Sequence, residues 1–324
     1  LIKTEENLMK PLYPLCFQPV YKDYVWGGSR IPNLFNRDLP EGIYAESWEI
    51  STHPDGATPI ANGPLCGKTL SELLPEHKTE LLGTHVKGDD FPLLIKLIDA
   101  REKLSVQVHP NDDNAAAVDG DPKTEMWYFL DGDADAQIYC GLKPGVGKSE
   151  FLQAIEEKTF ADILQNIPAR KGDAVFVPGG RVHAIGNGCL ILEIQQNSNT
   201  TYRMYDWDRV GADGVGRELH IQKALQVIDW ENNGDPHCEI RGTTIESCEY
   251  FELDRYELTE ETAFPNLGKS FHALFVAEGM GIIRWADGED VLFAGQSWLV
   301  PAGLGDFVII PSGRSLTLLC ITIP

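Results

Sequence analysis

Positive charge is scarce in this chain. It carries 27 Lys and Arg against 49 Asp and Glu, a formal net charge of −22 over 324 residues. Such a field repels a phosphate backbone unless a local basic groove overrides it, and no run of basic residues supplies one, so nucleic acid is excluded as the partner. Long apolar runs are missing too. No stretch reaches the about 18 apolar residues a membrane span needs, and the N-terminus has no apolar signal core, so neither insertion nor secretion is expected. The cysteines (Cys16, Cys66, Cys140, Cys189, Cys238, Cys248 and Cys320) are odd in number, widely spread and form no Cys-x-x-Cys pair. They read as reduced thiols of a cytoplasmic protein. With 43% hydrophobic and 23% charged residues the composition is globular, and the length suits about two domains. A small anionic substrate stays compatible with the charge, because a few converging Lys and Arg can dominate a closed pocket.

What the sequence does hold is concentrated around Leu104-Ser105-Val106-Gln107-Val108-His109-Pro110. Ser105, Gln107 and His109 fall at period two, so in a strand they leave one face while Leu104, Val106 and Val108 leave the other. After a polar loop comes Lys123-Thr124-Glu125, which opens the apolar run Met126 to Leu130. His183 follows the turn Val177-Pro178-Gly179-Gly180. Two imidazoles, a carboxylate and an amide oxygen make a donor set for a borderline divalent metal such as zinc.

In chain order, residues 1–10 form a polar lead, and Pro11 to Val25 an aromatic, proline-punctuated run of irregular strand ending at Trp26-Gly27-Gly28. Glu46 to Ser51 alternates like a half-buried strand. Leu70 to Leu82 has helical spacing with Ser71 as its N-cap. Phe91 to Ala100 is nearly all apolar, which makes Lys96 the odd residue: a buried lysine needs a partner or a purpose. A helical insert is expected at about 148–170, with Phe151, Ile155, Phe160, Ile163 and Leu164 as its apolar face. Strands resume at Asp173 to Val177 and Cys189 to Gln195, a short helix at His220 to Val227, and the turn formers of Asn232 to Pro236 suggest a linker.

An internal repeat spans that linker. Glu125 to Gly132 resembles His272 to Gly279, and Lys171 to Gly179 resembles Ala294 to Ala302. A strand ending in Gly, then Gly before a hydrophobic strand ending in Pro, is a jelly-roll pattern. The fold class expected is mainly β, with two cupin-like jelly-roll (double-stranded β-helix) units and a small helical insert: residues 1–235 as the catalytic unit and 236–324 as a C-terminal unit. Aligning Gly132 with Gly279 and Pro178 with Pro301 puts Glu125 opposite His272 and His183 opposite Asp306. The second unit has no counterpart of Gln107-Val108-His109, so its metal site is incomplete.

Lys96, Leu104 to Pro110, Lys123-Thr124-Glu125, His183-Ala184, Glu193 and Tyr202-Arg203, with Trp26-Gly27-Gly28 and Glu46 to Ser51, together resemble the zinc-dependent mannose-6-phosphate isomerases of the cupin superfamily in their short bacterial form. The likeness runs from about Trp26 to the chain end. It departs at Thr124, where longer relatives tend to have proline. The resemblance implies reversible conversion of mannose 6-phosphate to fructose 6-phosphate, one zinc per chain at Gln107, His109, Glu125 and His183, and a small sugar phosphate as the partner. Such a reaction moves a proton between C1 and C2 through an enediolate, so it needs a charge sink and a base reaching both carbons. Lys123 is the first candidate for proton transfer and Glu193 the second. Arg203 is likened to the family's active-site arginine, and Lys96 and Ser105 are candidates for phosphate. The alternatives are a different metal-dependent cupin enzyme, such as an oxygenase, and a non-catalytic cupin that binds a sugar phosphate; neither gives Lys123 and Arg203 a catalytic role.

Overall fold

The structure is a computed structural model that describes residues 12–211 and 214–324. The polar lead at 1–10, and Pro11 at the start of the aromatic run, lie outside the described residues. Short turns rich in Gly and Asp join strands that pair antiparallel throughout. The first twelve strands are β1 (Leu15–Cys16), β2 (Val20–Lys22), β3 (Glu46–Ile50), β4 (Leu93–Ala100), β5 (Val106–Val108), β6 (Glu125–Gly132), β7 (Gln137–Leu142), β8 (Leu164–Pro168), β9 (Ala174–Val177), β10 (His183–Ile185), β11 (Cys189–Gln196) and β12 (Tyr202–Tyr205). After them come β13 (Thr244–Ser247), β14 (Glu252–Leu258), β15 (Thr262–Phe264), β16 (His272–Trp285), β17 (Gly288–Phe293), β18 (Ser297–Val300) and β19 (Phe307–Thr322). The α-helices are α1 (Arg30–Phe35), α2 (Leu70–Leu82), α3 (Lys148–Glu156) and α4 (Ile221–Val227).

A six-stranded sheet, order β2-β3-β4-β11-β6-β9, and a five-stranded sheet, order β12-β5-β10-β7-β8, make the first unit. The second unit contributes seven strands to an eight-stranded sheet completed by β1, in which long β16 pairs first with β18 and then with β17, and long β19 first with β15 and then with β14. Register shifts between Val276 and Met280, with Gly279 at φ 84°, let β16 change direction. The mainly β, jelly-roll expectation is met. The repeat alignment also matches the ladders: Glu125 pairs with Val177 as His272 pairs with Val300.

The units are joined by apolar faces. Ile95, Leu97, Met126, Leu192 and Ile194, on one face of the six-stranded sheet, share a core with Phe271, Ala273, Phe275, Leu319 and Ile321 of the second unit. The other face of those strands looks into the first barrel, around Ile98, Trp127, Phe129 and Ile191. Burial on both faces explains why β4 and β11 read as continuous apolar runs. β1 crosses the junction to pair with β18. Arg37 does the same, bonding buried Glu49 at 2.9 Å and the Gly295 carbonyl at 2.5 Å.

Three local expectations are corrected. The insert is helical only through α3 and a 3-10 turn at Phe160–Ile163, after which Leu164–Pro168 pairs with β7 as an edge strand. Pro168 lacks the N–H a helix would use, and an edge strand tolerates it. Helix α2 is capped by Thr69, not Ser71: Glu72 accepts a 2.7 Å bond from the Thr69 N–H in a capping box, and Ser71 is already inside the helix. The Glu46–Ile50 strand is buried at every position instead of alternating, because both of its faces are covered.

Candidate active site

Three internal segments meet at one rim of the first barrel. The Lys123 N–H donates to the Pro110 carbonyl (2.9 Å), the Gly180 N–H to the His109 carbonyl (2.8 Å), and the Gly179 N–H to Thr124 Oγ1 (3.1 Å). A Cβ on Gly179 would stand 2.7 Å from the Pro110 oxygen, so glycine is what lets the turn come this close. His109 lies within this knot, and strands β6 and β10 begin beside it with Glu125 and His183.

Sheet register does the rest. Trp48, Lys96, Glu193 and Trp127 stand side by side across β3, β4, β11 and β6. Arg203, Gln107, His183 and Cys140 do so across β12, β5, β10 and β7. Laddered neighbours share a face, so each sheet offers one polar row, and the rows meet where the Trp127 and His183 rings lie 5.5 Å apart.

His109 Nδ1 and His183 Nδ1 each lie 2.8 Å from a backbone carbonyl, those of Thr200 and Arg181. A carbonyl only accepts, so Nδ1 carries the hydrogen in both rings and Nε2 is left with a bare lone pair. Both Nε2 atoms face one carboxylate: His109 Nε2 is 3.5 Å from Glu125 Oε2 and His183 Nε2 is 3.4 Å from Glu125 Oε1. The Gln107 amide is 3.3 Å from His183 Nε2, where a half-turn would present its oxygen. Burial pushes the His183 imidazole down to about 4, and burial with the nearby Lys123 charge holds His109 well below its ordinary value. Burial, then the Glu193 charge, raises the Glu125 carboxyl to about 7. Two neutral imidazoles and a carboxyl whose lone pairs converge form a cluster able to hold a metal ion, and a divalent cation would reverse the Glu125 shift.

Beside the cluster lies a chain of buried charges. Lys123 Nζ is 2.9 Å from Glu125 Oε2, 3.2 Å from His109 Nε2 and 3.8 Å from Glu193 Oε1. Lys96 Nζ is 3.1 Å from Glu193 Oε1 and 3.6 Å from Glu46 Oε2. Burial opposes ionisation of both Lys96 and Glu193, but their mutual attraction prevails, raising the lysine and lowering the carboxyl. These groups open into a cavity of about 320 Å³ that is also lined by Ser105, Arg203 and Arg217. Arg203 does not pair with Asp206, whose carboxylate is occupied by Arg209 and Arg217. Its guanidinium bonds Ser105 Oγ (3.3 Å) and the Glu218 carbonyl (2.9 Å).

Residues 15–135 match the family described as phosphomannose isomerase type I, catalytic domain, and residues 241–317 match mannose-6-phosphate isomerase, cupin domain. The chain is 39% identical over 305 residues to mannose-6-phosphate isomerase ManA of Bacillus subtilis (strain 168), covering 91% of this chain and 95% of the relative. It belongs to the mannose-6-phosphate isomerase family. A mannose-6-phosphate isomerase of Streptococcus mutans is 42% identical over 216 residues, 66% of this chain and 67% of the relative. The crystal structure of the mannose 6-phosphate isomerase from Bacillus subtilis superposes with a TM-score of 0.85 at 35% identity, covering 95% and 99% of the two chains.

All nine residues singled out from the sequence of this family member therefore lie at or beside one cavity. The sequence reading missed Glu46, which lines the cavity and takes a 2.8 Å bond from the Trp48 indole. His220 Nδ1 accepts the Arg203 N–H at 3.2 Å. No helix among the described residues is long and apolar enough to cross a membrane.

Proposed function

We infer that this chain interconverts mannose 6-phosphate and fructose 6-phosphate, with one zinc ion held by Gln107, His109, Glu125 and His183. The observation that carries the reading is the pair of stripped Nε2 atoms facing Glu125 at the edge of a cavity lined by Lys123 and Arg203. Zinc fits a set of two imidazoles, one carboxylate and one amide oxygen, and when bound supplies a Lewis acid that favours negative charge on the sugar oxygens.

The chain's own groups handle the proton and the phosphate. Lys123 takes the proton from C2 and returns it to C1 while the hydroxyl proton passes from O2 to O1. Glu193 is the second candidate, but it is ionised and held by Lys96 and the Trp127 indole, which makes it a weak base. Arg203 and Ser105, already bonded to each other, bind the phosphate or face the charge that develops on the sugar. Lys96, the other phosphate candidate, is engaged by two carboxylates and keeps Glu193 ionised. A coupled assay on mannose 6-phosphate with elemental analysis is the test: turnover together with about one zinc per chain is expected for a catalytic site of this kind. Absence of turnover in zinc-loaded protein would sink the reading.

A further inference from the structure

Trp127 follows Glu125 by two residues on β6, so both side chains face the barrel interior. The indole is fully buried, and its single N–H points between two carboxylates, 3.1 Å from Glu125 Oε1 and 3.2 Å from Glu193 Oε2. Its ring also packs edge-on against His183. One side chain thus touches two of the three clustered ligand residues and the carboxylate beside them. Trp48 offers the same chemistry two strands away from Glu193, its N–H bonding Glu46 Oε2 at 2.8 Å with no ligand residue involved.

We propose that Trp127 is a positioning residue for the metal centre: its shared N–H fixes the Glu125 carboxylate toward the two imidazoles and locks it to Glu193. Two neighbouring carboxylates repel, and a neutral donor placed between them orients both without changing the net charge of the site. Unlike Lys123, whose Nζ lies 2.9 Å from Glu125 Oε2, the indole N–H carries no charge and engages only Oε1. The N–H is a directional tether, and the ring packs edge-on against His183.

This rests on the zinc reading above, and the test separates the two. Zinc affinity is measured by competition against a chromogenic chelator for the full-length wild type, Trp127→Phe and Trp48→Phe. The expected result is a loss of about 10- to 100-fold in zinc affinity for Trp127→Phe, the range typical of lost outer-sphere partners, with Trp48→Phe close to wild type. Equal affinity for Trp127→Phe and wild type, or an equal loss in both variants, would overturn the proposal; a wild type that binds no zinc would instead overturn the zinc reading. If Trp127→Phe does not fold, the wild type still decides. Of its seven indole N–H resonances, one should resist exchange and move both on zinc binding and in Glu193→Gln. No indole responding to both perturbations would refute the tether.

Discussion

Lys96 and Glu193 stand directly opposite each other on adjacent antiparallel strands, with Nζ 3.1 Å from Oε1 and both side chains buried. Removing one member of such a pair leaves the other as an uncompensated interior charge. Lys96→Met should cost about 3–5 kcal/mol of stability by chemical denaturation, while Lys78→Met, which breaks an exposed pair, should change it by about 0.5 kcal/mol or less. Folded Lys96 holds its proton more tightly than an unfolded lysine, so its contribution is full below the ordinary lysine range and is lost only as pH climbs above it. Equal stability of the two variants would contradict this account.

His109→Ala and His183→Ala should each lose zinc and activity together while near-native circular dichroism persists, since the barrel core does not depend on these ligands. A fully active, zinc-free His109→Ala protein would end the metal assignment.

The pH dependence of metal uptake should come from Glu125. Its metal-free carboxyl, raised to about 7, must shed a proton to take a cation, so zinc affinity should fall about tenfold per pH unit below neutrality. The imidazoles add to that loss only at lower pH, with His183 near 4. Chelator competition on either side of neutrality measures the slope, and a flat profile through this range would contradict it.

The site was legible because its residues broke a pattern. Gln107 and His109 alternate with valines, and Lys96 and Glu193 interrupt apolar strands, where only a paired or functional charge is tolerable. Glu46 and Trp127 gave no such signal. Glu46 sits in a segment that alternates like a half-exposed strand, and the cavity it lines is assembled from separate stretches of chain that cannot be read locally. Trp127 lies among other aromatics, and its N–H gains meaning only from two carboxylates brought in by separate stretches of chain. The edge strand Leu164–Pro168 was hidden because Ile163 and Leu164 also fit a helical stripe.

Arg203→Ala should lower kcat/KM by about 10²-fold or more with zinc retained, as when a charge-stabilising donor is lost. Lys123→Met should strike kcat harder than KM if the amine moves the proton. Normal turnover by Lys123→Met would make Glu193 the leading base.

The second barrel should hold no zinc of its own. His272 occupies the ladder position of Glu125, yet among the described residues the metal-capable cluster is His109, Glu125 and His183. His272→Ala should leave activity nearly unchanged, and a second tightly held zinc lost in that variant would refute this.

Strand β1 has a consequence for synthesis. Leu15 finds its partner at Leu299, so as the chain emerges from the ribosome this segment must wait until that distant strand has been made before it can pair. Until then β1 has no edge to join, and the apolar face that the second unit will cover lies open to solvent. Contacts of such long sequence separation are slow to form and leave nascent chains prone to association. Chaperone demand during expression should therefore concentrate late in translation, after the candidate metal ligands have all been made.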